Sequence, residues 1–147
     1  FLPDFKYISS EMAARYSNAP DYPEVAKRAL AQMVKQTGDA KFDERDMMKR
    51  GVIVRHLILP GHIKESKEAI RYLYETYGDQ VYISIMNQYT PMPGIEKRFK
   101  NLGRTITQKE YDEVVDYAID LGVENGFIQE GETAKESFIP QFDDTGL

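Results

Sequence analysis

The sheet of this protein is indicated first by the segment Gly51-Val52-Ile53-Val54-Arg55-His56-Leu57-Ile58-Leu59, which runs directly into Pro60-Gly61. The segment is rich in β-branched residues and almost continuously apolar. Such segments are typical of parallel strands that are covered on both faces, and a following Pro-Gly pair ends the strand. The sequence therefore predicts a parallel strand buried on both faces.

Helices and strands alternate on either side of this segment. A second apolar strand is predicted at Val81-Tyr82-Ile83-Ser84-Ile85-Met86, and Gly126-Phe127-Ile128-Gln129 is a candidate last strand before a tail that we expect to be irregular to Leu147. Apolar spacing and helix-stop glycines predict helices over residues 10–16, 21–38, 63–78 and 107–121. The last of these helices begins with a capping box, Thr107-Gln108-Lys109-Glu110.

This alternation predicts an α/β fold with parallel strands joined by right-handed crossovers. A complete (β/α) barrel usually takes about 250 residues, and this chain has 147. We therefore expect residues 1–147 to form one domain, either an α/β sheet or a segment of a barrel. The strand edge left exposed would favour pairing with a second copy of the chain, giving a homo-oligomer.

Composition excludes several classes of partner. The chain has 24 acidic and 19 basic residues, a net charge of -5 and no basic run, so we expect no nucleic-acid partner. No apolar segment approaches the roughly 20 residues that span a bilayer. The opening residues do not resemble a secretory signal, and the chain has no cysteine, so we expect a cytoplasmic protein without disulfides.

Polar residues stand at the ends of three predicted strands. The opening residues, Phe1-Leu2-Pro3-Asp4-Phe5-Lys6-Tyr7, resemble the end of a strand and carry Asp4 and Lys6. Arg55, His56 and, nearby, His62 stand at the second strand, and Asn87, Gln88 and Tyr89 follow the third. In α/β sheets and barrels, ligands bind at the carboxyl ends of the strands. Arg55 and His56 are adjacent in a strand and must therefore face opposite sides. A buried arginine needs an anion, which a ligand or an acid such as Asp4 could supply equally well.

Other interpretations of these residues remain open. His56 and His62 could bind a metal with Glu65 as a third donor, although their spacing matches no known signature. The simpler alternative is one histidine hydrogen-bonded in the core and one in a surface loop. Likewise, Asn87-Gln88-Tyr89 could recognise a polar substrate or simply cap a turn.

Four segments together resemble radical S-adenosylmethionine proteins, and among these the uncharacterised relatives of pyruvate formate-lyase activating enzyme. The segments are Leu2-Pro3-Asp4-Phe5-Lys6-Tyr7, Val54-Arg55-His56-Leu57-Ile58-Leu59-Pro60-Gly61-His62, Met86-Asn87-Gln88-Tyr89-Thr90-Pro91 and Gly126-Phe127-Ile128-Gln129-Glu130. The likeness covers essentially the whole chain. Its most specific piece is the arginine-bearing strand that ends in Pro-Gly.

The resemblance implies an incomplete (β/α) barrel whose amino-terminal half carries a Cys-x-x-x-Cys-x-x-Cys loop. That loop would hold a 4Fe-4S cluster, with S-adenosylmethionine on its open iron, and the half that carries it would be the missing partner of this chain. Asp4 and Lys6 would lie beside the cofactor, with Arg55 facing the same cavity. The full-length enzyme would cleave S-adenosylmethionine and abstract a hydrogen from a protein or small-molecule substrate, whereas this chain alone would be inactive.

One departure from the family pattern leaves the target open. Where the activating enzymes have a histidine that helps to hold the cofactor, this sequence has Tyr89-Thr90, so the substrate need not be a glycyl-radical enzyme. Two alternatives also stay open at this point. One is a cluster-free α/β module that holds a small anionic ligand with Arg55, Asn87 and Gln88, and the other is a metal-dependent hydrolase that uses His56 and His62.

Overall fold

The computed structural model describes residues 1–38, 41–42, 48–130 and 135–138. Two short strands, β1 (Lys41–Phe42) and β2 (Met48–Arg50), form a separate antiparallel pair. The main sheet contains β3 (Ile53–Leu57), β4 (Tyr82–Met86), β5 (Gly126–Glu130) and β6 (Lys135–Phe138), in that spatial order.

The strand directions confirm the α/β class. β3 pairs with β4 and β4 pairs with β5 in parallel, whereas β5 and β6 are antiparallel. β6 lies in the tail that was expected to be irregular, and for residues 135–138 that prediction is wrong. The free edge of β5 offers unpaired backbone groups, and the chain after it folds back to bond them. The rest of the tail, residues 131–134 and 139–147, lies outside the described residues.

The opening segment extends the sheet beyond β3, as its strand-like sequence indicates. Its backbone forms three hydrogen bonds with β3: from Ile53 N–H to the Phe1 carbonyl (2.9 Å), from Arg55 N–H to the Pro3 carbonyl (2.8 Å), and from Phe5 N–H to the Arg55 carbonyl (2.8 Å). The pairing is parallel, with Asp4 opposite Arg55. Asp4 and Lys6 are thereby brought to the same sheet as Arg55.

The helices are close to those predicted. They are α1 (Ser10–Ser17), α2 (Tyr22–Thr37), α3 (Ile63–Tyr77) and α4 (Gln108–Leu121). The capping box of α4 is confirmed, since the Thr107 hydroxyl accepts from Glu110 N–H (3.0 Å) while the Glu110 carboxylate accepts from Thr107 N–H (2.8 Å). Between β4 and α4 the chain makes two short 3-10 turns, Ile95–Lys97 and Lys100–Gly103. No helix in the described ranges has the length and apolar character needed to cross a bilayer.

β3 is buried on one face only, which corrects the prediction of burial on both. Val54, His56 and Ile58 are at most 1% exposed, whereas Arg55 and Leu57 are only partly covered. The buried face belongs to the main apolar core, which also includes Ile70, Leu73, Val114 and Ala118 of α3 and α4. The opposite face, which carries Arg55, forms the wall of the cavity described below.

Candidate functional site

The partly covered face of β3 borders a cavity of about 240 Å³. Its lining residues come from the opening strand, from β3 and from the end of β4: Asp4, Lys6, Tyr7, Arg55, Leu57, Leu59, Met86 and Tyr89. Asp4, Lys6 and Arg55, the three residues that the sequence nominated for cofactor binding, therefore lie at one cavity. The parallel pairing of the opening strand with β3 is what brings them together.

Asp4 and Arg55 form an ion pair at the cavity wall. Arg55 Nε donates to Asp4 Oδ1 at 2.8 Å, and each side chain is 42% exposed. The sequence left open whether a ligand or an acid such as Asp4 supplies the anion for this arginine. In the structure, Asp4 supplies it. The bond uses Nε of the guanidinium, and Arg55 also lines the cavity.

Three apolar side chains, Leu57, Leu59 and Met86, also line the cavity, and we call them its apolar floor. The sequence predicted Leu57 and Leu59 in a strand buried on both faces and Met86 at the end of the next strand, and it assigned none of the three to a site. The alternation of side chains along the strand gives a signal for Leu57 and Leu59, because positions 57 and 59 share the face of Arg55 rather than the face of the core residues Val54 and Ile58. The site thus combines a charged rim with an apolar floor, a combination suited to a ligand with both a charged and an apolar part.

His56 lies on the opposite face of β3 and is 1% exposed. Its Nδ1 lies 2.8 Å from the Phe5 carbonyl oxygen and its Nε2 lies 2.8 Å from Ser66 Oγ. A carbonyl only accepts, so Nδ1 carries the proton and Nε2 accepts from the serine hydroxyl. Burial lowers the pKa of His56 and keeps the ring neutral. Both nitrogens are occupied, which favours the core-histidine interpretation over a metal ligand.

Glu65, considered above as a third metal donor, has another role. Its side chain reaches the start of α1, where Oε2 accepts from Ile8 N–H at 2.7 Å and from Ser9 N–H at 2.9 Å. No group of three His, Cys, Asp or Glu residues suited to a metal occurs in the described residues. Glu65 therefore ties α3 to the segment that follows the opening strand.

The segment after β4 contributes Tyr89 to the cavity. Its hydroxyl donates to the Leu102 carbonyl at 2.8 Å, and partial burial raises its pKa. Gln88 is exposed and Asn87 half-buried, and neither is among the residues that line the cavity. A substrate-binding role for these three residues stays a prediction. Of the three, Tyr89 lines the cavity.

A polar cluster of Tyr16, His62 and Asn101 lies where β3 passes into α3. Tyr16 Oη is 2.6 Å from His62 Nε2, and Asn101 Nδ2 is 2.9 Å from the same nitrogen. Burial, followed by the Arg15 cation, lowers the pKa of His62. Sequence reasoning missed Tyr16 and Asn101, because residues 85 positions apart give no local signal of contact. The cluster ties α1 and the loop after β4 to the end of β3.

Glu110 secures the same end of β3 from α4. Arg104 donates to it twice, Nη1 to Oε1 at 2.7 Å and Nη2 to Oε2 at 3.0 Å. Oε2 also accepts from Gly61 N–H at 2.9 Å. These hydrogen bonds, that of Arg104 above all, lower the pKa of Glu110 from 4.5 to about 2. The Pro60-Gly61 turn beside the cavity is therefore anchored to the start of α4.

The residues present can be compared with the groups that the family resemblance implies. The chain contains no cysteine, so it supplies no thiolate to an iron–sulfur cluster and does not fit that group. The cavity lining has residue types that S-adenosylmethionine would need on one side: basic Lys6 and Arg55 for a carboxylate, acidic Asp4 for an ammonium, and apolar side chains for its less polar part. At about 240 Å³, it is smaller than the roughly 300–1,000 Å³ of complete ligand pockets.

No protein family matches the sequence, and no solved structure matches the chain. The chain is similar to "Uncharacterized protein MJ0674" of Methanocaldococcus jannaschii, to which it is 27% identical over 118 residues. The match covers 80% of this chain and 30% of that protein. The match thus spans less than a third of the length of that relative.

Proposed function

We propose that this chain forms the cofactor-side and substrate-side wall of a radical S-adenosylmethionine enzyme similar to pyruvate formate-lyase activating enzyme. In this proposal the chain is the carboxyl-terminal part of an incomplete (β/α) barrel. The iron–sulfur cluster is held by protein outside this sequence, since the chain has no cysteine. When bound together, cluster and S-adenosylmethionine supply the hydrogen-abstracting chemistry of the full enzyme.

The observation that carries the proposal is the meeting of Asp4, Lys6 and Arg55 at one cavity. The family resemblance nominated Asp4 and Lys6 from one motif and Arg55 from another, 49 residues further along the chain. The cavity lies on the open face of parallel strands, near their carboxyl ends, which is where barrel enzymes place their sites.

The chemistry of the wall suits the two ends of the cofactor. Lys6 and the terminal amino groups of Arg55 can bind a carboxylate, and Asp4 can accept from an ammonium. Leu57 and Met86 can pack against the less polar part of the ligand. Tyr89, at the position where the activating enzymes have a histidine, would lie on the substrate side.

The first test is to read the coding sequence next to this chain. A Cys-x-x-x-Cys-x-x-Cys motif encoded in the same protein is expected. A coding sequence for the full protein that lacks this three-cysteine motif would refute the proposal. If such a protein instead binds phosphate or a carboxylate metabolite tightly in calorimetry, the cluster-free anion-binding module becomes the better explanation.

The second test uses the full natural protein, reconstituted with iron and sulfide under anaerobic conditions. Lys6→Met should weaken S-adenosylmethionine binding by about tenfold, as expected for one lost charge-assisted hydrogen bond. Lys67→Met is the matched control, because Lys67 pairs with Glu113 at 2.9 Å and does not line the cavity. Equal affinity of both variants would contradict the assignment of Lys6.

A further inference from the structure

The opening strand has one edge against β3 and another edge towards the start of α2. Phe5 N–H bonds to β3, so the Asp4 carbonyl and Lys6 N–H point to the outer edge. In a continuous sheet, a further strand would bond these two groups. Here they meet the side chain of Tyr22, the first residue of α2.

The Tyr22 hydroxyl bridges both groups. It donates to the Asp4 carbonyl at 3.0 Å and accepts from Lys6 N–H at 2.9 Å. One hydroxyl thus takes the donor and the acceptor role that a peptide group of a neighbouring strand would have. The Tyr22 ring also packs edge-on against Tyr7 of the cavity wall, with ring centroids 5.7 Å apart.

The inner edge of the same tripeptide is held equally firmly. Phe5 N–H donates to the Arg55 carbonyl at 2.8 Å, and the buried His56 ring donates to the Phe5 carbonyl at 2.8 Å. The Phe5 side chain is 1% exposed. The backbone from Asp4 to Lys6 is therefore fixed on both edges, although the side chains of Asp4 and Lys6 themselves extend into the cavity.

We propose that Tyr22 is a positioning residue, which sets the direction of the Asp4 and Lys6 side chains through their backbone. The proposal rests on the proposed function in that S-adenosylmethionine is taken as the ligand of the cavity. A hydroxyl bonded near the surface adds little to folding stability, because water can replace it. The main effect of Tyr22 is therefore on ligand geometry, to which binding and reaction are sensitive at the scale of about 1 Å.

The test compares Tyr22→Phe with Tyr74→Phe in the full natural protein. Tyr74 is a half-buried tyrosine of α3 whose hydroxyl lies beside Gly122, and it does not line the cavity. Both variants keep the aromatic ring and should fold, with melting temperatures close to each other. Amide hydrogen exchange and equilibrium binding of S-adenosylmethionine are then measured for each.

In Tyr22→Phe, the Lys6 amide should exchange about fivefold faster, the effect of one net hydrogen bond, while the Phe5 amide keeps its protection. The dissociation constant for S-adenosylmethionine should rise about tenfold, as for a small misplacement of ligand contacts. Neither change is expected in Tyr74→Phe. Unchanged exchange at Lys6, or faster exchange with unchanged affinity, overturns the positioning role.

These measurements also separate this inference from the proposed function. If the unaltered protein, loaded with its cluster, binds no S-adenosylmethionine, the proposed function fails. The role of Tyr22 is then decided by amide hydrogen exchange alone. Faster exchange confined to the Lys6 amide in Tyr22→Phe supports the fixing of the Asp4–Lys6 backbone by Tyr22, and unchanged exchange refutes it.

Discussion

Replacing Glu110 by Gln should destabilise the protein in a pH-dependent way. The pKa of Glu110 is lowered from 4.5 to about 2, chiefly by the hydrogen bonds from Arg104. Both carboxylate oxygens accept hydrogen bonds, Oε1 from Thr107 N–H and Oε2 from Gly61 N–H, and each also accepts from Arg104. Gln keeps the size of the side chain but loses the charge and one of the two acceptor oxygens.

The size of the effect follows from the change in proton affinity. A fall of the pKa from 4.5 to about 2 corresponds to at most about 3 kcal/mol. Arg104 is 47% exposed, so water and salt screen the pair, and we expect a loss of about 1–2 kcal/mol in the free energy of unfolding.

The sign of the pH dependence is fixed by linkage. A carboxyl whose pKa is lowered in the folded state stabilises the protein fully above its unfolded value, and this contribution disappears as pH falls through the folded value. The difference between the unaltered protein and Glu110→Gln should therefore be complete at pH 7, begin to shrink below about pH 4.5 and be nearly gone at about pH 2.

Urea unfolding at several pH values measures this difference. Glu113→Gln is the control. Glu113 Oε2 lies 2.9 Å from Lys67 Nζ, a distance similar to those between Glu110 and Arg104, but the Glu113 side chain is 50% exposed. That variant should lose no more than about 0.5 kcal/mol. The reasoning is refuted if Glu110→Gln loses as little as the control at pH 7, or loses equally at pH 7 and pH 2.

Two further substitutions test the packing around the site. His56→Leu leaves the Phe5 carbonyl and the Ser66 hydroxyl without their partner, and should lower the free energy of unfolding by about 2–4 kcal/mol in urea unfolding. Because burial lowers the pKa of His56, the unaltered protein should also lose stability as pH falls below about 6.5, and the variant should lose less over that range. Gly103→Ala places a Cβ 2.5 Å from Glu96 Cβ, and should lower the melting temperature through a loss of about 1–3 kcal/mol; an unchanged melting temperature would contradict the close packing of the two 3-10 turns.

The α/β class and the helices could be predicted because their signals are local. The capping box at Thr107 and Glu110 is complete within four residues, and the Pro60-Gly61 pair after β3 is a turn signal that two adjacent residues supply. Apolar spacing was less reliable for individual positions. Val25 is one of the apolar residues whose spacing predicts the helix over residues 21–38, yet its side chain is 46% exposed. Spacing shows which residues share a helix face but not whether another element covers that face.

The strand pairing at the sheet edges and the burial of the two faces of β3 could not be predicted without the tertiary structure. Whether β3 is covered on one face or two depends on which helices pack there, and the apolar sequence of residues 51–59 suits either arrangement. β6 was missed for a related reason. It pairs with β5, and a strand formed by pairing at an edge need not have a strong apolar pattern of its own.

For the candidate site, the sequence by itself determined the chemistry, and the fold determined the arrangement. The types and local order of Asp4, Lys6 and Arg55 could be read directly, as could the opposite facing of Arg55 and His56. The ion pair at 2.8 Å, the anchoring of Asp4 and Lys6 by Tyr22, and the apolar floor under them depend on contacts between distant segments. Local sequence fixes backbone preference and the alternation of side chains, but only the pairing of the opening strand with β3 decides which side chains meet.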